Sequence, residues 1–402
     1  MRSAVIVDAV RTASGKGKPG GALSGTHPVE LLATVLKALQ ERTGLDPARV
    51  EDVITGCVAQ AGEQSLNIGR QGVLAAGWPV SVPSTTIDRQ CGSSQQAAHF
   101  AAQGVIAGAY DIVVACGVES MSRIPMGTAG IGQDPYGPSV TQRFAPGLIP
   151  QGFSAELIAA KWGLTRDELD EYSARSHQLA AAATQSGAFA NEIIPVTVTG
   201  PDGTGSGSTV RQHTVDETIR ATTTPEGLAK LPTSFASEEM GARFPEIDWS
   251  ITAGNSSPLT DGASATLIME ESVASELGLR ARARFHSFAV VGDDPLFMLT
   301  APWPATDKVL AKAGLTVDDI DAFEVNEAFA PVPLVWLRET GADPDKLNPR
   351  GGAIALGHPL GASGTRLLTT LLNQLEASGG RYGLQTMCEG GGMANATIIE
   401  RL

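Results

Sequence analysis

Two patterns of apolar residues alternate along this chain. Apolar-rich runs at residues 5–10 and 50–58 predict buried strands, and 112–116, with no polar side, predicts a strand covered on both faces. Between them lie stretches of helical period. Residues 28–43 carry Leu31, Leu32, Val35, Leu36 and Leu39 at that spacing and stop at Gly44. Residues 67–76 and the alanine-rich 95–109 predict two more helices. Strands and helices in alternation define a layered α/β domain.

The texture changes near Met121. From 122 to 149 glycine and proline recur every few positions and no period survives. Residues 154–163 and 165–186 are helical, the second opening with the capping box Thr165-Arg166-Asp167-Glu168. Residues 193–199 alternate like an exposed strand, and the glycine- and serine-rich 201–208 predicts a hairpin tip. Regular structure then returns. Strands are expected at 265–269, 284–291, 322–325, 382–388 and 396–400. Helices are expected at 306–313, at 327–337 (interrupted by Pro331 and Pro333) and at 366–375. The expected division is a first half at 1–120 plus 249–272, an inserted lid at 121–248, and a second half at 273–402. The halves rhyme. Strand, Cys91, helix, strand in the first answers Gly351-Gly352 to His358, helix, strand in the second, and the strand 50–58 answers 322–325, so a duplicated α/β unit is expected, with its helix mouths converging.

Composition narrows the function. A chain of 402 residues exceeds one hydrophobic core. A net charge of −14 argues against nucleic acid as a partner. Cys57, Cys91, Cys116 and Cys388 are far apart and form no C-x-x-C pair, which suggests reduced thiols in the cytoplasm and no metal site. The first residues enter a strand directly, without a secretory signal, and no apolar run suffices for membrane insertion.

Four stretches carry chemistry. Cys91 precedes a helix, where free N–H groups and the helix dipole favour a thiolate nucleophile; a buried core cysteine is the competing reading. His358 sits in the glycine-flanked turn Gly357-His358-Pro359-Leu360-Gly361, as a ligand-facing imidazole or a structural one. Cys388 stands before Gly390-Gly391-Gly392, whose N–H groups suit an oxyanion. Asn326-Glu327 ends a strand, and Asn326 could simply cap the next helix. The loop 11–21 has glycines and lysines but not the P-loop spacing, and reads as solvated rather than as a phosphate cradle. Two thiols, an imidazole and an amide are enough for covalent acyl transfer with proton abstraction beside a carbonyl.

In this order and spacing, Cys91-Gly92-Ser93, Asn326-Glu327-Ala328-Phe329, Gly357-His358-Pro359-Leu360-Gly361 and Cys388-x-Gly390-Gly391-Gly392 resemble the thiolases. Arg11-Thr12, Ala253 to Ser257 and Asp261-Gly262-Ala263 extend the resemblance over the whole chain. The resemblance implies a duplicated, layered α/β/α/β/α core with a lid. It implies a thiolytic cleavage of 3-ketoacyl-CoA, or the reverse condensation, through an acyl-Cys91. His358 would receive the Cys91 proton and, with a water held by Asn326, bind the thioester oxygen. Cys388 would handle the α-proton of acetyl-CoA. The N–H groups of Cys91 and Gly390 would form a second oxyanion hole, and Arg220 and Ser257 would contact CoA. Coenzyme A is then a substrate, no cofactor is held permanently, and a homodimer or homotetramer is expected. A ketoacyl synthase-type condensing enzyme, or a non-catalytic relative that binds acyl-CoA or lipid, are the alternatives. The departures are Asp88 where the family has Asn, Ser94 where it has a second glycine, and changes at Pro150-Gln151-Gly152, 298–302 and Met393-Ala394 that bear on the acyl group. Residues 121–126 look more like broad-range degradative members, some of which take bulky or steroid acyl groups.

Overall fold

The computed structural model describes residues 2–201 and 208–402. Every residue of β1 (Ala4–Thr12) is buried, because helices cover both of its faces. Val5 and Val7 face the outer helix α1 (Pro28–Thr43), while Ala4 and Ile6 face inward. Then come β2 (Asp52–Gly56), α2 (Ile68–Ala75), β3 (Ser84–Ile87), α3 (Ser93–Ala107) and β4 (Ile112–Ser120). The excursion contains a short helix, Gly137–Arg143, then α4 (Gln151–Trp162), α5 (Arg166–Gln185) and the antiparallel pair β5 (Val196–Pro201) and β6 (Ser208–His213). Most of the expected hairpin tip, 202–207, lies outside the described residues. The core resumes with β7 (Thr260–Glu270), β8 (Ala283–Gly292), α6 (Pro302–Ala313), β9 (Ala322–Val325), α7 (Pro331–Thr340), α8 (Ser363–Ser378), β10 (Tyr382–Glu389) and β11 (Met393–Arg401).

The pairing shows the duplication. In the first half β1 runs antiparallel to β7, β7 antiparallel to β4, and β4 parallel to β2. In the second, β8 runs antiparallel to β11, β11 antiparallel to β10, and β10 parallel to β9. The same irregularity recurs: register slips between Ile6 and Asp8 in β1, and between Phe285 and Ser287 in β8. β1 and β8 pair antiparallel through Val5–Arg284 and Ile6–Ala283, which joins the halves about an approximate two-fold axis. The edge strand β3 extends the first half, beside β2. Three cores fill the layers. One lies under α1 and α2, and one under α6 and α7. The third forms where Ala97, Ala101 and Val105 of α3 meet Leu368, Leu371 and Leu375 of α8 and the inner side of the sheet.

Two expectations need correction. Residues 326–330 are a loop, and α7 begins at Pro331. Pro331 and Pro333 fall in its first turn, where a missing N–H has no intrahelical acceptor, so they start this helix instead of interrupting it. Ala330, not Asn326, occupies its N-cap, which leaves Asn326 available for another role. Among the described residues no helix is long and apolar enough to cross a membrane.

Candidate active site

Between β3 and α3 the chain turns through Asp88, Arg89 and Gln90. Gln90 adopts φ +49°, a conformation unfavourable for a residue with a side chain. Local hydrogen bonds hold it there. Asp88 Oδ1 accepts the Gln90 backbone N–H at 2.6 Å, and Ser93 Oγ donates to the Gln90 carbonyl at 2.6 Å. Asp88 therefore serves as the brace of this turn, and Ser94 Oγ accepts the Thr365 N–H at 3.0 Å, tying α3 to α8. Cys91 follows at the mouth of α3, with Gly92 as the N-cap.

Cys91 is 9% exposed and packs with Met121, Leu360, Leu367 and Met387. Burial, and then the neighbouring Glu389, push its thiol up to about 12. The expected resting thiolate is thus overturned. Desolvation outweighs the helix mouth, so this sulfur rests protonated and needs a base to become nucleophilic.

His358 has the properties of that base. Burial, and then the Arg366 charge, lower its pKa to about 3, so the imidazole is neutral. Ser363 Oγ lies 2.6 Å from Nδ1 and itself donates to the Pro359 carbonyl at 2.9 Å, so it accepts from Nδ1–H. Asn326 Nδ2 lies 3.3 Å from Nε2 and donates to it. This network assigns the tautomer: Nδ1 carries the proton and Nε2 the lone pair. Asn326 comes from the loop after β9 and is 1% exposed, with Oδ1 free of any protein partner.

Cys388 ends β10 and is also buried; desolvation, then the proximity of Cys91, raise its pKa well above the ordinary thiol value. The two sulfurs, 297 positions apart in sequence, therefore share one electrostatic environment. Gly390 packs against the Gln90 side chain, where a β-carbon would lie 3.0 Å from Oε1. Gly391 and Gly392 take φ of +85° and +79° to close the β10–β11 turn, which explains the glycine run.

Two buried carboxylates pin these loops. Glu119 accepts N–H groups from Val58 (3.0 Å), Ala59 (3.1 Å) and Gly361 (2.9 Å) and the Gln64 amide (2.8 Å). It thereby joins β4 and the loop after β2 to the His358 turn. Glu327 accepts from Tyr172 (2.8 Å), Ser176 (2.7 Å), Asn348 (2.9 Å) and the Ile354 N–H (3.1 Å), locking α5 to the second half. Glu119 lay in no motif of the sequence analysis; its place at the end of an otherwise apolar strand was the available signal.

A cleft of about 290 Å³ opens beside this centre. Arg220, Lys16, Lys18, His177 and Ser256 line it. Ser257 is half-buried next to that wall, its N–H donated to the Ala328 carbonyl at 2.9 Å. Thr260 Oγ1 accepts the His358 N–H at 3.0 Å and so links the cleft loop to the imidazole turn. The solvated-loop reading of 11–21 fails at its start: Arg11 is buried between Glu192 (2.7 Å) and Asp216 (2.7 Å), and Gly15–Lys16 pairs with β7. Lys16 and Lys18 then reach the cleft, where with Arg220 they form a cationic mouth suited to phosphates.

Comparisons with known proteins agree with this geometry. Residues 4–272 match the family model for the thiolase N-terminal domain, and residues 279–401 match that for the thiolase C-terminal domain. The chain is 49% identical to a steroid 3-ketoacyl-CoA thiolase of Mycobacterium tuberculosis, over 100% of this chain and 95% of the relative. It is 44% identical to a 3-ketoacyl-CoA thiolase of Serratia proteamaculans, over the full length of both. The crystal structure of the Bacillus anthracis acetyl-CoA acetyltransferase superposes with a TM-score of 0.87 at 36% identity, covering 100% of this chain and 99% of that one.

Proposed function

The chain belongs to the thiolase family, and we propose that Cys91, His358, Cys388, Asn326 and Gly390 are the groups that perform its reaction. That reaction is the CoA-dependent thiolytic cleavage of a 3-ketoacyl-CoA, and the chain is an acyltransferase. His358 Nε2 takes the Cys91 proton as sulfur attacks the 3-keto carbon. The C2–C3 bond then breaks. Its electrons pass to the acetyl-CoA enolate, and Cys388 donates a proton to C2. The acyl group remains on Cys91. Entering CoA gives its thiol proton to Cys388 and attacks the acyl-Cys91, which releases a shortened acyl-CoA while the leaving Cys91 sulfur takes back its proton from His358. Asn326, through a water, and His358 would hold the thioester oxygen of acetyl-CoA. The Cys91 and Gly390 N–H groups would hold the oxyanion on the acyl carbon. A neutral, desolvated centre suits this chemistry, because charge then develops only where donors await it.

The observation that carries this reading is the proximity of Cys388 to Cys91, with Gly390 against the side chain of Gln90 and Leu360 of the His358 turn packed on Cys91. Incubation with acetyl-CoA followed by peptide mass spectrometry tests it: an acetyl adduct on Cys91 is expected, and an unmodified Cys91 overturns it.

Arg220 and Ser257, with Lys16 and Lys18, are proposed to contact CoA. Division of the core at 120, 248 and 272 gives the cleft a lid on one side. The acyl group is proposed to be bulky, a reading supported by the word steroid in the name of the Mycobacterium tuberculosis 3-ketoacyl-CoA thiolase. Exposed Met126, Ile131 and Tyr136 on the glycine-rich excursion offer apolar surface for it. A thiolysis panel of acetoacetyl-CoA, straight-chain, branched and steroid-linked 3-ketoacyl-CoA decides this by kcat/KM. A homodimer or homotetramer is proposed from the edge strand β3, flanked by Leu66 at 84% and Val80 at 80% exposure. Sedimentation equilibrium tests that assembly, and a cytoplasmic site fits four free thiols.

A further inference from the structure

Behind the nucleophile turn lies a group of polar atoms that this reaction does not use. Glu389 follows Cys388 in β10, so its side chain points to the opposite side of the strand. It is 0% exposed, and among the described residues no side chain hydrogen-bonds either carboxyl oxygen, the Asn395 backbone N–H being the donor near it. It rests on Gly92: a β-carbon there would lie 2.0 Å from Glu389 Oε1 and 2.4 Å from Asn395 Oδ1. Asn395 Oδ1, from β11, is also buried and without a partner. Two lone acceptors are thus held against the backbone of the residue that follows Cys91. A carboxylate and an amide oxygen so placed repel each other, whereas a carboxylic acid can donate its O–H to the amide. Gly92 is glycine because this wedge occupies the space of its side chain.

The charged and titratable groups around the wedge are few. Asp88 and Arg89 face it from the nucleophile turn, Cys91 from the same turn, and Cys388 from its own strand. Glu119 of β4 acts on Cys91 from the other side. Arg89 approaches without a hydrogen bond; its Nε is buried and unpartnered, and its Nη1 points at Met393 Sδ, 3.9 Å away.

We propose that Glu389 is a positioning residue for the nucleophile: as a neutral acid bonded to Asn395 it seats Gly92 and Cys91, and its ionisation in alkali opposes formation of the Cys91 thiolate. Burial, partly offset by Arg89, raises its pKa to about 8, so the acid form holds at neutral pH. Ionisation then places a negative charge next to a thiol whose deprotonation it disfavours. The two groups titrate as a coupled pair. This inference rests on Cys91 being the nucleophile.

The test is the pH dependence of Cys91 alkylation by iodoacetamide in the full-length protein, read by peptide mass spectrometry, for wild type and Glu389→Gln. Glutamine keeps the shape and an N–H donor for Asn395 but cannot ionise. Expected are rates within about two-fold at pH 7, and Glu389→Gln at least about five-fold faster at pH 9.5, since removal of a nearby charge is worth about one pKa unit. Glu389→Leu, which keeps the bulk and lacks the donor, should be alkylated more slowly than Glu389→Gln at every pH. Equal alkylation rates for wild type and Glu389→Gln at both pH values overturn the inference. Acetyl-CoA labelling of the same samples separates the two failures. An acetylated Cys91 with equal rates rejects Glu389 alone, and an unacetylated Cys91 rejects the assignment of the nucleophile.

Discussion

The two helix mouths of the duplicated core differ in everything except their frame. The first follows the edge strand β3 and the second a short helical turn, Ala353–Leu356, but each opens a helix of the central layer, and α3 and α8 pack together. At the first mouth a side chain is forced to φ +49°, braced by Asp88, and followed by a protonated thiol. At the second, Gly357 at φ +85° lets the chain swing His358 inward, where Ser363 and Asn326 fix a neutral imidazole. The helices that the two mouths open pack on each other, and a few loop positions set a protonated thiol at one mouth and a neutral imidazole at the other.

Removing the chemistry from each mouth should break that comparison most. Cys91→Ala is expected to lower kcat by about 10³-fold or more, with the circular dichroism spectrum unchanged. Cys116→Ala, at a thiol pushed up to about 12 by burial alone, should leave kcat intact. His358→Ala is expected to lose about 10²–10⁴-fold in kcat/KM. With His358 lowered to about 3, its titration should put no limb in the rate profile between pH 5 and 8.

The same shift sets a stability trend. The unfolded chain takes up a proton on this histidine as pH falls through about 6.5, while the folded protein resists until about pH 3. His358 thus costs no stability above pH 6.5 and progressively more below it. His99, also lowered to about 3 by burial, adds to this. His99→Gln should flatten the acid side of a Tm-versus-pH curve.

The carboxylate staples sharpen the comparison at the level of folding. Glu327→Ala strands four donors and should destabilise by about 3 kcal/mol or more, measured by urea unfolding. Ser94→Ala, which removes the single bond from α3 to the Thr365 N–H, should cost about 1 kcal/mol. Arg220→Ala, at an exposed position on the cleft, should raise the KM for CoA about five-fold and leave kcat alone.

Much of this was legible along the chain because apolar runs and helical periods are local. The all-buried strands 5–10 and 112–116, the capping box at Thr165 and the helix after Pro28 all have local causes and appear in the structure. So does the rhyme of 50–58 with 322–325, now β2 and β9. The placement of Cys91 at a helix mouth was legible too, but its protonation was not. That depends on Leu360, Met387 and Glu389, which arrive from some 270 or more positions away. Pro331 and Pro333 were misjudged because a proline reads as a breaker until the helix start is known. Lys16 and Lys18 were passed over because a cleft assembled from residues 16–18, 177, 220 and 254–259 leaves no spacing in any one segment.

The seam between β1 and β8 has one more implication, for the order in which a ribosome can finish this protein. β1 lies in the middle of the sheet, between partners at 260–270 and 283–292. It must wait for both until those residues have emerged. The strand that delivers Cys388 comes later still, against 393–400. A nascent chain that has not reached these strands therefore exposes an unsatisfied apolar ribbon, and competence for thioester chemistry waits on β10 and β11.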